Sequence, residues 1–280
     1  MVTSFNSPLP LPASLLALRR IRFPRKLGFC DRLFGASLAR HGIAWVRTAA
    51  GPVWKLDLAN TTHRWLVYGD YEGPALWRWL EKNPPLRDPI VDSGANIGQT
   101  VLTFASQFPS TRIFAYEPGA AAREWLAQGV RENKLDAVTI RPVGLGSSPS
   151  QARLASAGSS SSHGSWNRIS QSEGETIELN TMDRELSELG IETIGFWKLD
   201  MEGYELEAIR GARSALSRHA VRAIYAEIGC PEESEVFRTL ADHGYSAHRI
   251  MPDGSLRPCR SVAAYESALF LAPGHPAASR

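Results

Sequence analysis

The sequence predicts a doubly wound α/β fold: a mainly parallel sheet with helices on both faces, an antiparallel edge hairpin and a small N-terminal extension. Three observations predict it. Short apolar runs alternate with amphipathic stretches between positions 89 and 243, the pattern of repeated βαβ units. A glycine-bearing turn, Asp92-Ser93-Gly94-Ala95-Asn96-Ile97-Gly98, stands where the first such run passes into the first such helix. The chain has 280 residues, 43% hydrophobic and 21% charged, which is the composition of a globular protein with a substantial core.

Taken in order, Val53–Leu58 and Arg64–Val67 read as short strands around the turn-like Ala59-Asn60-Thr61. Residues 73–81 read as a helix with Leu76, Trp77 and Leu80 on one side, stopped by Asn83-Pro84-Pro85, because proline cannot continue a helix. Residues 89–92 form a buried strand. Residues 98–108 follow as a helix, with Val101, Leu102, Phe104, Ala105 and Phe108 at helical spacing. A strand over 112–116, a helix over 120–133 and a strand over 138–141 come next. After an interruption, a strand (194–200), a helix (202–216), a strand (221–227) and a helix (232–243) continue the alternation. Two strands around Asp253-Gly254, a hairpin dipeptide, and a last strand over 265–271 finish it. The interruption at Ala155–Trp166 contains Ser159-Ser160-Ser161-Ser162-His163-Gly164. It reads either as a low-complexity loop or as a lid over a binding site. The tryptophans Trp45, Trp54, Trp65, Trp77 and Trp79 read as core packing of an N-terminal lobe.

The expected organisation is a basic extension over 1–50, partly ordered at best, a lobe over 51–88 packing on the core, and the main domain over 89–275. The formal net charge of +2 gives no global case for nucleic acid. Residues 1–50 hold eight basic residues and one acid, Asp31. That extension is read as loosely docked, as a segment touching a membrane surface or partner, or as a targeting segment. Its charges follow the apolar stretch Leu9–Leu18, the wrong order for a secretory signal. Three scattered cysteines, Cys30, Cys230 and Cys259, argue against a disulfide framework and a zinc site and suit a reducing cytoplasm. No run of 18 apolar residues suggests a spanning helix.

The turn at 92–98 lies where a doubly wound sheet opens its ligand crevice. Gly94 and Gly98 permit positive φ and close backbone approach. Their spacing fits poorly to the G-x-G-x-x-G of dinucleotide sites, and the leading acid, Asp92, suits a cationic ligand. Glu117, ending the next strand in Tyr116-Glu117-Pro118, can accept both hydroxyls of a ribose, with Pro118 fixing the turn behind it. Together these two elements point to an adenosyl ligand with a cationic end, S-adenosyl-L-methionine.

Four motifs in order carry a resemblance: Asp92-x-Gly-Ala-Asn-Ile-Gly, Tyr116-Glu117-Pro118, Trp197-Lys198-Leu199-Asp200-Met201-Glu202-Gly203-Tyr204-Glu205, and Tyr225-Ala226-Glu227-Ile228. With the lead-in Tyr68-Gly69-Asp70-Tyr71-Glu72, they resemble the FkbM family of methyltransferases over about residues 53–271. The resemblance implies a class I methyltransferase, Rossmann-like fold with a seven-stranded sheet in the order 3-2-1-4-5-7-6. It also implies S-adenosyl-L-methionine as donor, and a hydroxyl of a sugar, glycolipid or secondary metabolite as acceptor. Ser93 departs from the small apolar residue common there.

An alcohol acceptor needs a base to take its proton or a metal to acidify it. Alternation along a strand puts Lys198 and Asp200 on one face, with Glu202 in the first turn of the following helix. Asp200, Glu202 and Lys198 are the catalytic candidates, and His163 is the candidate histidine base. The plain alternatives are an Asp200 cap, a Glu202 that complements the helix dipole, and a neutralising Lys198. With Glu227, Asp200 and Glu202 form a carboxylate cluster able to hold Mg²⁺. The cofactor-binding candidates are Asp92, Gly94, Ala95, Asn96, Gly98, Glu117 and Pro118. Asp183 is a further candidate, with Thr181 as a helix cap its plain counterpart. Two other functions stand beside methyl transfer: a binding module that keeps the fold without turnover, and a nicotinamide-dependent oxidoreductase.

Overall fold

The computed structural model describes residues 7–21, 23–48, 51–69, 73–85, 88–156, 167–170, 172–229, 234–263 and 266–279. In chain order the first elements are α1 (Ala13–Arg19), α2 (Lys26–Cys30), a π-turn (Asp31–Gly35), α3 (Ala36–Ala39), β1 (Ile43–Arg47), β2 (Val53–Asp57), α4 (Thr61–Tyr68) and α5 (Gly73–Lys82). The alternating part follows with β3 (Ile90–Ser93), α6 (Val101–Gln107), β4 (Ile113–Tyr116), α7 (Ala120–Glu132) and β5 (Val138–Arg141). Next come β6 (Gly144–Leu145), β7 (Ser150–Ser156), β8 (Asn167–Ser170), β9 (Glu175–Asn180) and α8 (Met182–Leu189). The chain then returns through β10 (Phe196–Leu199), α9 (Glu205–Arg210), α10 (Arg213–Ser217), β11 (Ala223–Ile228) and α11 (Ser234–Asp242) to β12 (Ser246–Ile250), β13 (Leu256–Pro258) and β14 (Glu266–Leu271).

The main sheet has eight strands in the order β13-β12-β14-β11-β10-β3-β4-β5. β5, β4, β3, β10 and β11 are parallel, and β14 runs antiparallel between β11 and β12. This is the expected 3-2-1-4-5-7-6 order, with β13 added at the edge as the second arm of the hairpin turning at Asp253-Gly254. Every residue of β3, β4 and β10 is buried, as strands covered on both faces must be. The chain lays down β3, β4 and β5 outward in one direction, then returns to place β10 on the other side of β3. The C-terminal ends of β3 and β10 therefore mark a topological switch point, where such a sheet opens its ligand crevice.

The structure differs from the sequence reading in its local elements. Residues 61–68 are a helix where a strand over 64–67 is expected. The Asn60 side chain caps it by accepting from Thr62 N at 2.9 Å, and Gly69 closes it at φ 76°. These local signals outweigh the β-branched content.

On either side of the interruption the chain forms a second, four-stranded sheet that the sequence reading did not anticipate, in the order β6-β9-β7-β8. Residues 157–166 of the serine-rich stretch, His163 among them, lie outside the described residues. The helix expected over 202–216 is two short helices. Gly211 between them passes so close to Gly146 that an added Cβ would lie 2.0 Å from its carbonyl oxygen, and the Asp183 carboxylate accepts from Ser214 N and Ala215 N at the start of α10.

Where the N-terminal extension is described, it packs on the core. Leu15, Cys30, Leu38 and Val46 are buried in one cluster with Trp54, Leu56, Val67, Tyr68, Leu102 and Trp125. Asp31 locks it further, bonded to Arg64 at 2.7 Å and to the Tyr68 hydroxyl at 2.8 Å.

Candidate active site at the sheet switch point

The turn after β3 is built by backbone conformation. Gly94, Asn96 and Gly98 take φ of 82°, 50° and 96°, and the Gly94 and Ala95 amides donate to the Tyr116 carbonyl at 3.1 and 3.0 Å. Gly94 is required twice over, since its Cβ would stand 1.8 Å from the Asp200 carbonyl oxygen. The turn after β3 and the end of β10 thus meet backbone to backbone.

Glu117 ties this turn to the end of β4. One carboxylate oxygen accepts from Asn96 N at 2.8 Å and the other from Gly119 N at 2.7 Å. Burial raises its carboxyl, and the two backbone amides pull it back only in part, leaving it at about 7. Two further polar groups face the same space. The Asn96 side-chain oxygen is buried without a hydrogen-bond partner, and Gln99, only 4% exposed, lines the same cleft.

At the end of β10 the Lys198 ammonium sits 2.9 Å from Asp200 and 3.8 Å from Asp92. Burial works against an ionised Asp200, but the charge of Lys198 and hydrogen bonds from Lys198 and Glu227 hold its carboxyl below the usual range. Glu227, at the end of β11, is pushed up to about 9 by burial, by the charge of Asp200 and by their shared hydrogen bond. It is therefore protonated at neutral pH and donates to Asp200. Glu202 follows at φ 54°, ahead of the helix and not in its first turn. Its outer atoms are exposed at the rim, while partial burial and then the charge of Asp200 raise it to about 7.

These elements enclose a cleft of about 790 Å³, open mouth included. Asn96, Gln99, Glu117, Asp200, Glu202 and Thr62 supply its polar wall. Leu154, Ile169, Ile177 and Leu179 of the second sheet, with Pro118 and Tyr204, supply an apolar one.

Of the sequence candidates, Gly94, Asn96, Glu117, Pro118, Asp200 and Glu202 line the cleft, and Lys198 stands behind Asp200. Asp92 does not line it. Its carboxylate is fully buried beneath the turn, accepting from the Thr100 hydroxyl and facing Lys198, so it braces the turn from behind. Ala95 is buried, and the space beside Gly98 is closed by Leu126, 2.8 Å from where a Cβ would stand. Gly98 therefore serves the approach of the turn to α7. Asp183 caps α10, and Thr181 caps α8 by accepting from Arg184 N at 3.2 Å. Among the described residues no three His, Cys, Asp or Glu side chains converge as a metal site. The positive charge between Asp92 and Asp200 is the Lys198 ammonium.

Sequence reasoning missed Thr62, Gln99 and the part of the apolar wall that the second sheet supplies. Only the wall had left a signal, the alternation of Ile177 and Leu179 along β9.

A glycine turn, a buried acid and a carboxylate–lysine cluster thus meet at the switch point of a doubly wound sheet, the place where such sheets bind ligands. The profile of the methyltransferase FkbM domain matches residues 92–247, more than half of the chain, and the protein belongs to that family. No curated protein is similar to it at a significant level. Among solved structures, it is similar to fibrillarin of Aeropyrum pernix in complex with natively bound S-adenosyl-L-methionine (14% identity, 70% of this chain and 71% of that one, TM-score 0.41). It is also similar to the METTL16 methyltransferase domain (13% identity, 86% and 78%, TM-score 0.46). A third is the magnesium protoporphyrin IX methyltransferase of Synechocystis PCC 6803 (14% identity, 70% and 74%, TM-score 0.38).

Proposed function

We propose that the protein is an S-adenosyl-L-methionine-dependent O-methyltransferase acting on a hydroxyl of a sugar, a glycolipid or a secondary metabolite. The observation that carries this reading is Glu117, a nearly buried carboxylate with both oxygens fixed by backbone amides at the floor of the cleft. The unpartnered Asn96 oxygen beside it is a buried acceptor that a ligand donor would satisfy. These residues fit the donor: Glu117 for the ribose hydroxyls, Asn96 and the turn at Gly94 for its amino-acid end, Pro118 and the apolar wall for the adenine. When bound, the donor supplies a methyl group already activated on a sulfonium.

The chain's own groups then have separable tasks. The cleft excludes water and orients the acceptor, which is a large part of catalysis for a reaction with an activated donor. Glu202, raised to about 7 at the rim, is the base that takes the acceptor hydroxyl proton, since a base works best with its pKa near the operating pH. Lys198 keeps Asp200 ionised, and ionised Asp200 in turn keeps Glu202 basic. The acceptor is a small molecule or glycan, the expected compartment is the cytoplasm, and no role is assigned to Mg²⁺. Among the described residues no helix is long and apolar enough to cross a membrane.

Calorimetric titration with S-adenosylhomocysteine tests the donor assignment; absence of binding by folded protein at millimolar ligand would refute it. Transfer of label from methyl-labelled donor into fractionated cell extract, with and without chelator, tests the acceptor class and the base.

A further inference from the structure

The N-terminal helical segment has an outward face that does not suit water. Positions 26–39 form one run of α2, the π-turn and α3, and its inner side buries Lys26, Cys30, Gly35 and Leu38. The outer side repeats at three- and four-residue spacing, with Arg25, Phe29, Arg32, Leu33, Ala36 and Arg40 all exposed. An outward helix stripe is ordinarily polar, yet Phe29 is 47% and Leu33 55% exposed. The exposed large hydrophobics found among the described residues, Ile21, Phe29, Leu33 and Ile43, lie in this stretch or within five residues of its ends. Phe23 packs edge-on against Phe29 with ring centroids 5.3 Å apart, so the aromatic patch is continuous.

The charge around the patch has one sign. Arg20, Arg25, Arg32 and Arg40 are exposed. Asp31, the one acid in the first 50 residues, is engaged by Arg64 and Tyr68. Apolar side chains flanked by exposed arginines, with the segment's single acid already engaged, match the boundary of an anionic bilayer, where the rings enter the acyl edge and the guanidiniums meet phosphate. A second copy meeting this face isologously would set arginine against arginine.

We infer that the face from Arg25 to Arg40 docks the protein on an anionic lipid surface, with Phe29 and Leu33 inserted and Arg20, Arg25, Arg32 and Arg40 at the headgroups. The segment packs on α4, whose Thr62 lines the cleft, so one helix joins the docked face to the site. The inference is independent of the donor and acceptor assigned above.

The test is co-sedimentation of the full chain with phosphatidylcholine vesicles and with vesicles containing phosphatidylserine. The expected result is partitioning onto the anionic vesicles only, weakened by high salt. F29E/L33E and R25E/R32E are each expected to lower it by about tenfold or more. All these side chains face outward, so both variants should melt like the parent and bind S-adenosylhomocysteine equally, whatever that affinity is. Equal binding to neutral and anionic vesicles, no binding, or unchanged binding by F29E/L33E would overturn the inference. So would a concentration-dependent dimer abolished by F29E/L33E, which would assign the face to a second copy.

Discussion

Replacing Lys198 by methionine isolates the electrostatic centre of the site. The ammonium is 3% exposed and lies 2.9 Å from Asp200 and 3.8 Å from Asp92, whose side chains are 23% and 0% exposed. At an effective dielectric of about 20, those separations correspond to attractions of roughly 6 and 4 kcal/mol before desolvation is counted. Desolvation of all three groups offsets most of that in the parent. In K198M the carboxylates remain and their counter-charge does not, and losing one partner of a buried pair costs about 3–5 kcal/mol. We expect a loss of that size at pH 7.5 by urea denaturation.

D92N alone should cost less, because Lys198 keeps Asp200, and the double variant should be more stable than the sum of the singles by over ~1 kcal/mol. The pH dependence has a definite sign. Without Lys198 the folded-state pKa of Asp92, already raised by burial, rises further and that of Asp200 climbs from its lowered position above the unfolded value, so K198M is near the parent in acid and falls further behind as pH rises. A K198M loss below ~1 kcal/mol with additive singles would refute the bridging geometry.

Three other outcomes follow from the same geometry. Because burial holds Glu117 at about 7 and the proposed contact with a ribose diol needs it ionised, S-adenosylhomocysteine should bind roughly tenfold tighter at pH 8 than at pH 6, the ratio of ionised fractions; E117Q should bind weakly at both, as calorimetry would show. E202Q should lower kcat by about 10²–10⁴ with donor-product affinity unchanged, and the pH–rate profile should lose its rise near 7; an intact profile would move the base elsewhere. G94A should fail to fold or lose over ~3 kcal/mol, because a strained φ, worth about 1–2 kcal/mol, is compounded by overlap with the Asp200 backbone. G190A has positive φ but open space around it and should lose only the first part on thermal melting.

What could be read ahead of the structure follows from how local each signal is. β3 to β5, β10 and β11 were legible because buried strands of a parallel sheet are short apolar runs punctuated by helices, and both signals lie within a window of residues. Glu117 and Asp200 were legible as sites for a topological reason: a residue ending such a strand opens on the crevice whatever its neighbours do. Asp92 shows the limit of that logic. It belongs to a crevice strand and is an acid, yet its side chain points to Lys198, 106 positions away in the sequence, and only the register of β10 on β3, pairing Lys198 with Asp92, reveals it. The second sheet was hidden for a different reason. Its strands alternate weakly, with Ala152 and Leu154 on one and Ile177 and Leu179 on another, and these residues make only a small cluster of their own. The same holds for the packed extension. Leu15, Cys30, Leu38 and Val46 are single apolar residues on separate short elements, and only a surface supplied by α4, α6 and α7 turns them into a core. Signals that exist only between distant segments cannot be read from either one. The apolar wall of the cleft was therefore hidden, while its polar floor, made of strand ends, stood in plain view.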